Sequence, residues 1–213
     1  MTDYEALYAD HDSMADHWWW RPGWHVGTRF YSWHITQDDQ PEVRDLLHNY
    51  RDAIDTISTL DPVPDRWLHM TLQGVGHVSD VDPATLDSVT TAVADRLGHL
   101  APVATTYQRV HISGEALILP PSDPEPFTDI RRAIRQGITD ALGECPEADV
   151  GFRAHVSAAY SNASADAAPI RKVLDRAQPL TPVQATYTHV ALIRMHRDHR
   201  MYEWDTIRSV PLG

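Results

Sequence analysis

The chain has 213 residues, of which 42% are apolar and 23% charged, and a formal net charge of −12. That length suits one ordinary-to-large domain or two small lobes sharing a core, and the acidic balance argues against tracking of a long nucleic acid, which needs a basic stripe to neutralise phosphates. The single cysteine, Cys145, excludes an internal disulfide, argues against a thiolate zinc site and points to a reducing cytoplasm. No apolar run approaches the roughly 18 residues of a membrane span, and the acidic N-terminus does not read as a secretory signal. The expectation is a cytoplasmic monomer without cofactor or metal.

Residues 3–17 read as a short helix and "RPGW" at 21–24 as a turn. Together residues 1–24 form an N-terminal arm, and "HWWWRPGW" places Trp18, Trp19, Trp20 and Trp24 within it. Such an arm either docks on the body through its aromatics or covers a binding site as a lid. Residues 25–36 read as a strand rich in aromatic and β-branched residues. A helix over 41–58 starts at Pro41 and carries Val43, Leu46, Leu47, Tyr50, Ile54 and Ile57 at helical spacing. A strand at 66–75, a helix at 83–98, strands at 102–108 and 110–119, and a helix at 127–142 follow. A strand at 151–160, a helix at 164–177 and strands at 182–195 and 200–210 close the chain. This order predicts an α+β fold for residues 25–213: two related lobes, each a mostly antiparallel sheet with helices outside, flanking a central groove.

Six His-x-Ser/Thr triplets occur, starting at His11, His34, His69, His77, His111 and His155. Only "LHMTL" and "AHVSA" have small or apolar residues on both flanks and at the spacer, as a mid-strand position demands. Residues i and i+2 of a strand point the same way, about 6–7 Å apart. His69 with Thr71, and His155 with Ser157, are therefore each expected to present an imidazole and a hydroxyl to one surface. A hydroxyl can bond a non-bridging phosphate oxygen while the imidazole exchanges a proton with an attacking or departing oxygen. Two such strands facing each other flank one phosphorus, and histidine suits both acid and base roles because its pKa lies near neutrality.

The tetrads "HMTL" and "HVSA", 86 residues apart (155 − 69), make the chain resemble the 2H phosphoesterases, and within them the 2′,5′ RNA ligase-like and cyclic-nucleotide phosphodiesterase branch. Ala158 stands where a larger apolar residue is usual. The resemblance implies a bilobal fold with one motif on each side of a groove. It implies metal-independent action on a 2′,3′-cyclic phosphate or 2′,5′-type phosphodiester, of a small nucleotide or an RNA end, with His69 and His155 as acid and base and Thr71 and Ser157 on the phosphate. A non-catalytic nucleotide-binding protein of the same fold, or an enzyme acting on a small-molecule phosphate of specialised metabolism, are the alternatives. A metal-dependent hydrolase lacks support, since there is no His-Glu-x-x-His or His-x-His cluster, and "HRDH" at 196–199 reads as a hairpin turn.

Further substrate-binding candidates come from strand alternation. Trp67 shares a predicted face with His69, Thr71 and Gln73, and Arg153 with His155 and Ser157. On the first strand either Tyr31 and Trp33 or His34 faces the groove. Tyr160, with Asn162, follows the second motif.

Overall fold

The computed structural model describes residues 4–177 and 180–213. The elements in chain order are α1 (Tyr4–Leu7), β1 (Ser13–Met14), β2 (Phe30–Thr36), α2 (Pro41–Ile54) and β3 (Leu60–Pro62), then a 3-10 turn (Asp65–Trp67) and β4 (His69–His77). They continue through α3 (Pro83–Leu97), β5 (Val103–Tyr107), β6 (His111–Ser113), β7 (Ala116–Leu119), α4 (Glu125–Leu142) and β8 (Val156–Ser161). The chain ends with β9 (Ala165–Asp166), α5 (Ala168–Arg176), β10 (Val183–Tyr187), β11 (His189–His196) and β12 (Glu203–Pro211).

Two four-stranded antiparallel sheets carry the two motifs, in the orders β12-β11-β2-β4 and β3-β8-β7-β6. The predicted α+β architecture is present, with one qualification. The two lobes are not built from successive halves of the chain. Strand β3, from the first half, joins one edge of β8 and the second motif, and the hairpin β6–β7 joins the other. The hairpin β11–β12, from the second half, joins β2 and through it the first motif. Strands β5 and β10 pair with each other as a separate two-stranded sheet. Each motif sheet thus rests on pairing partners from the opposite half.

The helices follow the predicted apolar spacing. α2 buries Val43, Leu46, Leu47, Tyr50 and Ile54. α3 is capped by Asp82, whose Oδ1 accepts the main-chain N–H groups of Ala84 and Thr85, each at 2.9 Å. α3 packs on α4 closely enough that a Cβ at Gly137 would meet Val93 Cα at 2.7 Å, so only glycine fits there. α4 stops at Gly143, in the left-handed region at φ 84°.

The N-terminal segment corrects one expectation. Residues 1–3, the start of the arm, lie outside the described residues, and the helix predicted over 3–17 spans only Tyr4–Leu7. The main chain beyond it is drawn onto the body instead. His11 N–H donates to Ile112 O at 3.0 Å, Asp10 Oδ1 accepts Ile112 N–H at 2.7 Å, and Ser13–Met14 pairs with Ala165–Asp166. Among the described residues, no helix is long and apolar enough to cross a membrane.

Candidate functional site

Strands β4 and the start of β8 line one groove of about 650 Å³, to which His69, Thr71, His155 and Ser157 all contribute. Both imidazoles are held alike. His69 Nδ1 lies 2.8 Å from Trp67 O, and His155 Nδ1 lies 2.7 Å from Arg153 O. A carbonyl only accepts, so each Nδ1 carries the proton, and each Nε2, with no hydrogen bond from the described residues, is open to the groove. In both motifs the carbonyl belongs to the residue two before the histidine. One follows a 3-10 turn and the other an irregular segment, yet they give the same tautomer.

The surroundings differ. His34 stacks on His69, with centroids 4.5 Å apart and planes 5° apart, and Trp204 meets His69 edge-on at 5.1 Å. This burial lowers the pKa of His69 to about 4; the Trp67 carbonyl opposes the shift and the charge of His155 adds to it. The pKa of His155 is also lowered by burial. Its own carbonyl contact opposes this and the Arg153 guanidinium reinforces it. His34 is fully buried, neither ring nitrogen finds a partner among the described residues, and burial holds its pKa well below the usual value.

Of the weaker sequence candidates, Arg153 and Tyr160 line the groove. Arg153 Nη2 donates to Ser113 Oγ at 2.9 Å, and burial raises the pKa of the Tyr160 hydroxyl. The others are placed elsewhere. Trp33 is fully buried in the core and Tyr31 packs against that core, because it is Phe30, Ser32 and His34 that face the groove side. His34 backs His69 rather than reaching the groove. Trp67 belongs to the 3-10 turn, not to a strand face shared with His69, and it packs on Trp204 at 4.7 Å and under Arg66. Gln73 still lines the groove, but the register slips between Trp33 and His34, pairing Gln73 with Trp33 and Thr71 with His34, so it does not continue the regular alternation from Thr71. Its amide accepts from Arg135 and donates to Glu147. Asn162 ties down Asp61 rather than shaping the groove.

Several lining residues lay beyond sequence reasoning. His17, from the arm, is buried with Nδ1 3.1 Å from Glu115 Oε2 and Nε2 3.0 Å from the Tyr202 hydroxyl, and it stacks on Tyr160 at 4.3 Å. Burial, then the cations Arg21 and Arg197, depress its pKa to about 3. Tyr202 and Arg197 come from the turn between β11 and β12. The spacing of Tyr202 and Trp204, i and i+2, was the one available signal for that wall. The arm therefore docks and lines the groove at once. Trp18 is buried with its indole N–H on Asp61 Oδ2 at 2.7 Å, while Trp19 and Trp20 are about half exposed. Among the described residues no group of three or more His, Cys, Asp or Glu side chains is arranged to hold a metal ion.

Comparison with known proteins agrees with this picture. The sequence matches the family model of the 2′-5′ RNA ligase superfamily over residues 39–199. Among solved structures, TT0787 of Thermus thermophilus is 21% identical, with a TM-score of 0.62 over 87% of this chain and 97% of its own. E. coli LigT complexed with 3′-AMP is 14% identical, with a TM-score of 0.65 over 87% of this chain and 99% of its own. A further crystal structure, described only as a phosphoesterase, is 13% identical with a TM-score of 0.66 over the same two shares. At these identities the likeness is one of fold. No curated protein matches the sequence.

Proposed function

Because the chain belongs to the 2′-5′ RNA ligase superfamily of 2H phosphoesterases, we propose that it is a phosphodiesterase of a 2′,3′-cyclic phosphate or 2′,5′-type phosphodiester, of a nucleotide or RNA end, working by two-histidine acid–base catalysis. The observation that carries this reading is the matched pair: two imidazoles lining one groove, each with Nδ1 held by a main-chain carbonyl and Nε2 open, each beside a hydroxyl.

For attack by water on a cyclic phosphate, one neutral imidazole takes the water proton at Nε2 as the oxygen–phosphorus bond forms. The other, protonated, gives its Nε2 proton to the departing ribose oxygen as the ring P–O bond breaks. The proton count of the pair is unchanged and the roles are exchanged. Thr71 and Ser157 bond the non-bridging oxygens, and Arg153, beside His155, offsets their charge. The chemistry needs no metal, and family resemblance implies a 2′-phosphate product with the 3′ oxygen leaving.

The test is hydrolysis of a 2′,3′-cyclic nucleotide by the full chain in excess chelator, with the product identified as the 2′- or 3′-phosphate. Turnover lost in His69→Ala and His155→Ala is expected. Inactivity of the unaltered chain on cyclic nucleotides and 2′,5′-dinucleotides alike, or complete loss in chelator with rescue by a divalent ion, would overturn the reading.

A further inference from the structure

In a chain of net charge −12, the groove lining gathers three guanidinium groups, Arg21, Arg153 and Arg197, against two carboxylates, Glu115 and Glu147. Arg153 adjoins His155 and belongs with the reacting phosphate. The other two cations act elsewhere: both bear electrostatically on His17, Tyr160 and Tyr202.

Arg197 is the unusual one. It is 3% exposed, yet among the described residues no carboxylate lies within 4.0 Å of it. Its Nη2 donates to His17 O at 3.2 Å and Trp19 O at 3.1 Å. The guanidinium lies over Trp18, Trp20 and Tyr202 at 5.4, 5.5 and 5.8 Å, and its Nε has no partner among the described residues. Glu115 and Asp16 act on it only from farther away. Glu115 is already engaged, its Oε2 shared by His17 Nδ1 at 3.1 Å and Arg21 Nη2 at 3.2 Å. Burying a cation without a counter-charge is costly, and the cost is offset when an anion enters the adjoining space.

We propose that Arg197 and Arg21, gathered around His17, Tyr160 and Tyr202 on the arm-lined wall, form a subsite for a second phosphate, so that the substrate is a nucleotide carrying a phosphate besides the one that reacts. This rests on reading the groove as a phosphodiesterase site and adds the substrate class. Aromatic faces around the guanidinium fix its plane, which suits a phosphate placed by hydrogen bonds rather than by diffuse attraction. Each side of the lining carries one carboxylate: Glu147 is seated on Gln73 Nε2 at 2.8 Å and Gly74 N–H at 2.9 Å, and Glu115 is engaged by His17 and Arg21, so it is Arg197, with no carboxylate partner among the described residues, that sets the arm side as the place for the second phosphate.

The experiment is calorimetric binding of adenosine 2′-monophosphate and adenosine 2′,5′-bisphosphate to the full chain, with turnover of adenosine 2′,3′-cyclic monophosphate measured alongside. The bisphosphate is expected to bind at least about tenfold more tightly, with the ratio shrinking as salt rises. Arg197→Gln and Arg21→Gln should each bring the ratio towards one. Arg21 is half exposed, so its variant keeps the test valid if Arg197→Gln misfolds. Equal affinities in the unaltered chain, or a preference that survives Arg21→Gln undiminished, would overturn the subsite. Turnover without the preference overturns the subsite alone, and the preference without turnover supports it while overturning the phosphodiesterase reading. If neither nucleotide binds, the subsite falls.

Discussion

The sharpest consequence of the site geometry is its dependence on pH. On the proposed mechanism, productive enzyme has one imidazole neutral and the other protonated, so kcat/KM for the free enzyme should peak between the two coupled pKa values. Burial and mutual repulsion put His69 at about 4, and burial with the Arg153 charge places His155 below its ordinary value as well. Both therefore titrate below about 6.5. The optimum of kcat/KM should lie on the acid side of 6.5. With the upper value at 6.5 or less, roughly one tenth or less of the enzyme carries the needed proton at pH 7.5, and the rate falls about tenfold per further pH unit. In the complex, the phosphodiester anion raises the pKa of the nearby imidazoles, so the descending limb of kcat should lie at higher pH than that of kcat/KM. Arg153→Gln, which removes a cation beside His155, should move the alkaline limb of kcat/KM upward. Initial rates on a 2′,3′-cyclic nucleotide from pH 4.5 to 9 at constant ionic strength decide the matter. A kcat/KM that stays flat or rises between pH 7 and 9 would refute the assignment of acid and base to this pair.

Three further outcomes are expected. Thr71→Ala and Ser157→Ala should each slow turnover about 10- to 150-fold, the value of one hydrogen bond to a charged oxygen, whereas loss of either histidine removes proton transfer worth about 10²- to 10⁴-fold in addition to its contacts; single-turnover rates on one substrate compare them. Folding stability should fall as pH drops below about 6.5, because His34 and His17 stay neutral when folded, with pKa values held well below the ordinary one and at about 3, while the unfolded chain takes up protons. The slope from each is about 1.4 kcal/mol per pH unit, measurable by urea unfolding at pH 7.5 and 5.0, and His34→Phe should remove one such increment. Trp18→Ala should cost about 3–5 kcal/mol through the cavity it leaves and the lost bond to Asp61, while Trp19→Ala, half exposed, should stay within about 0.5 kcal/mol by the same unfolding assay.

Much of the fold was legible because it follows from periodicity. The predicted helices at 41–58, 83–98, 127–142 and 164–177 appear as Pro41–Ile54, Pro83–Leu97, Glu125–Leu142 and Ala168–Arg176. Apolar flanks singled out the triplets at His69 and His155 from six, and these two share the groove. What escaped depended on pairing between distant segments. The register slips between β2 and β4 reassign Gln73, and no local pattern announces a bulge. Trp67 read as a strand residue, but Pro64 leads into a 3-10 turn whose use is to bring the Trp67 carbonyl under His69. Arg197 lies in "HRDH", a polar turn by composition; only the arm folding across it turns the guanidinium inward.

The two motifs are alike at Nδ1 and unlike beyond it, and this bears on how the site is charged. Each imidazole is locked in the tautomer that leaves Nε2 for the groove, so the proposed proton transfer needs no reorientation. His69 is walled by His34, Trp204 and Tyr202, and His155 adjoins a guanidinium. Neither surrounding welcomes a proton, and a charge on His155 further lowers the pKa of His69. The doubly protonated pair is therefore the least favoured state. An arriving phosphodiester brings negative charge between the two histidines, and so raises the affinity of one Nε2 for a proton. On the proposed mechanism, substrate binding and loading of the acid are one linked event, and proton uptake is expected on binding at neutral pH. The same linkage explains why a site built from buried, reluctant bases can act as an acid once its ligand is in place.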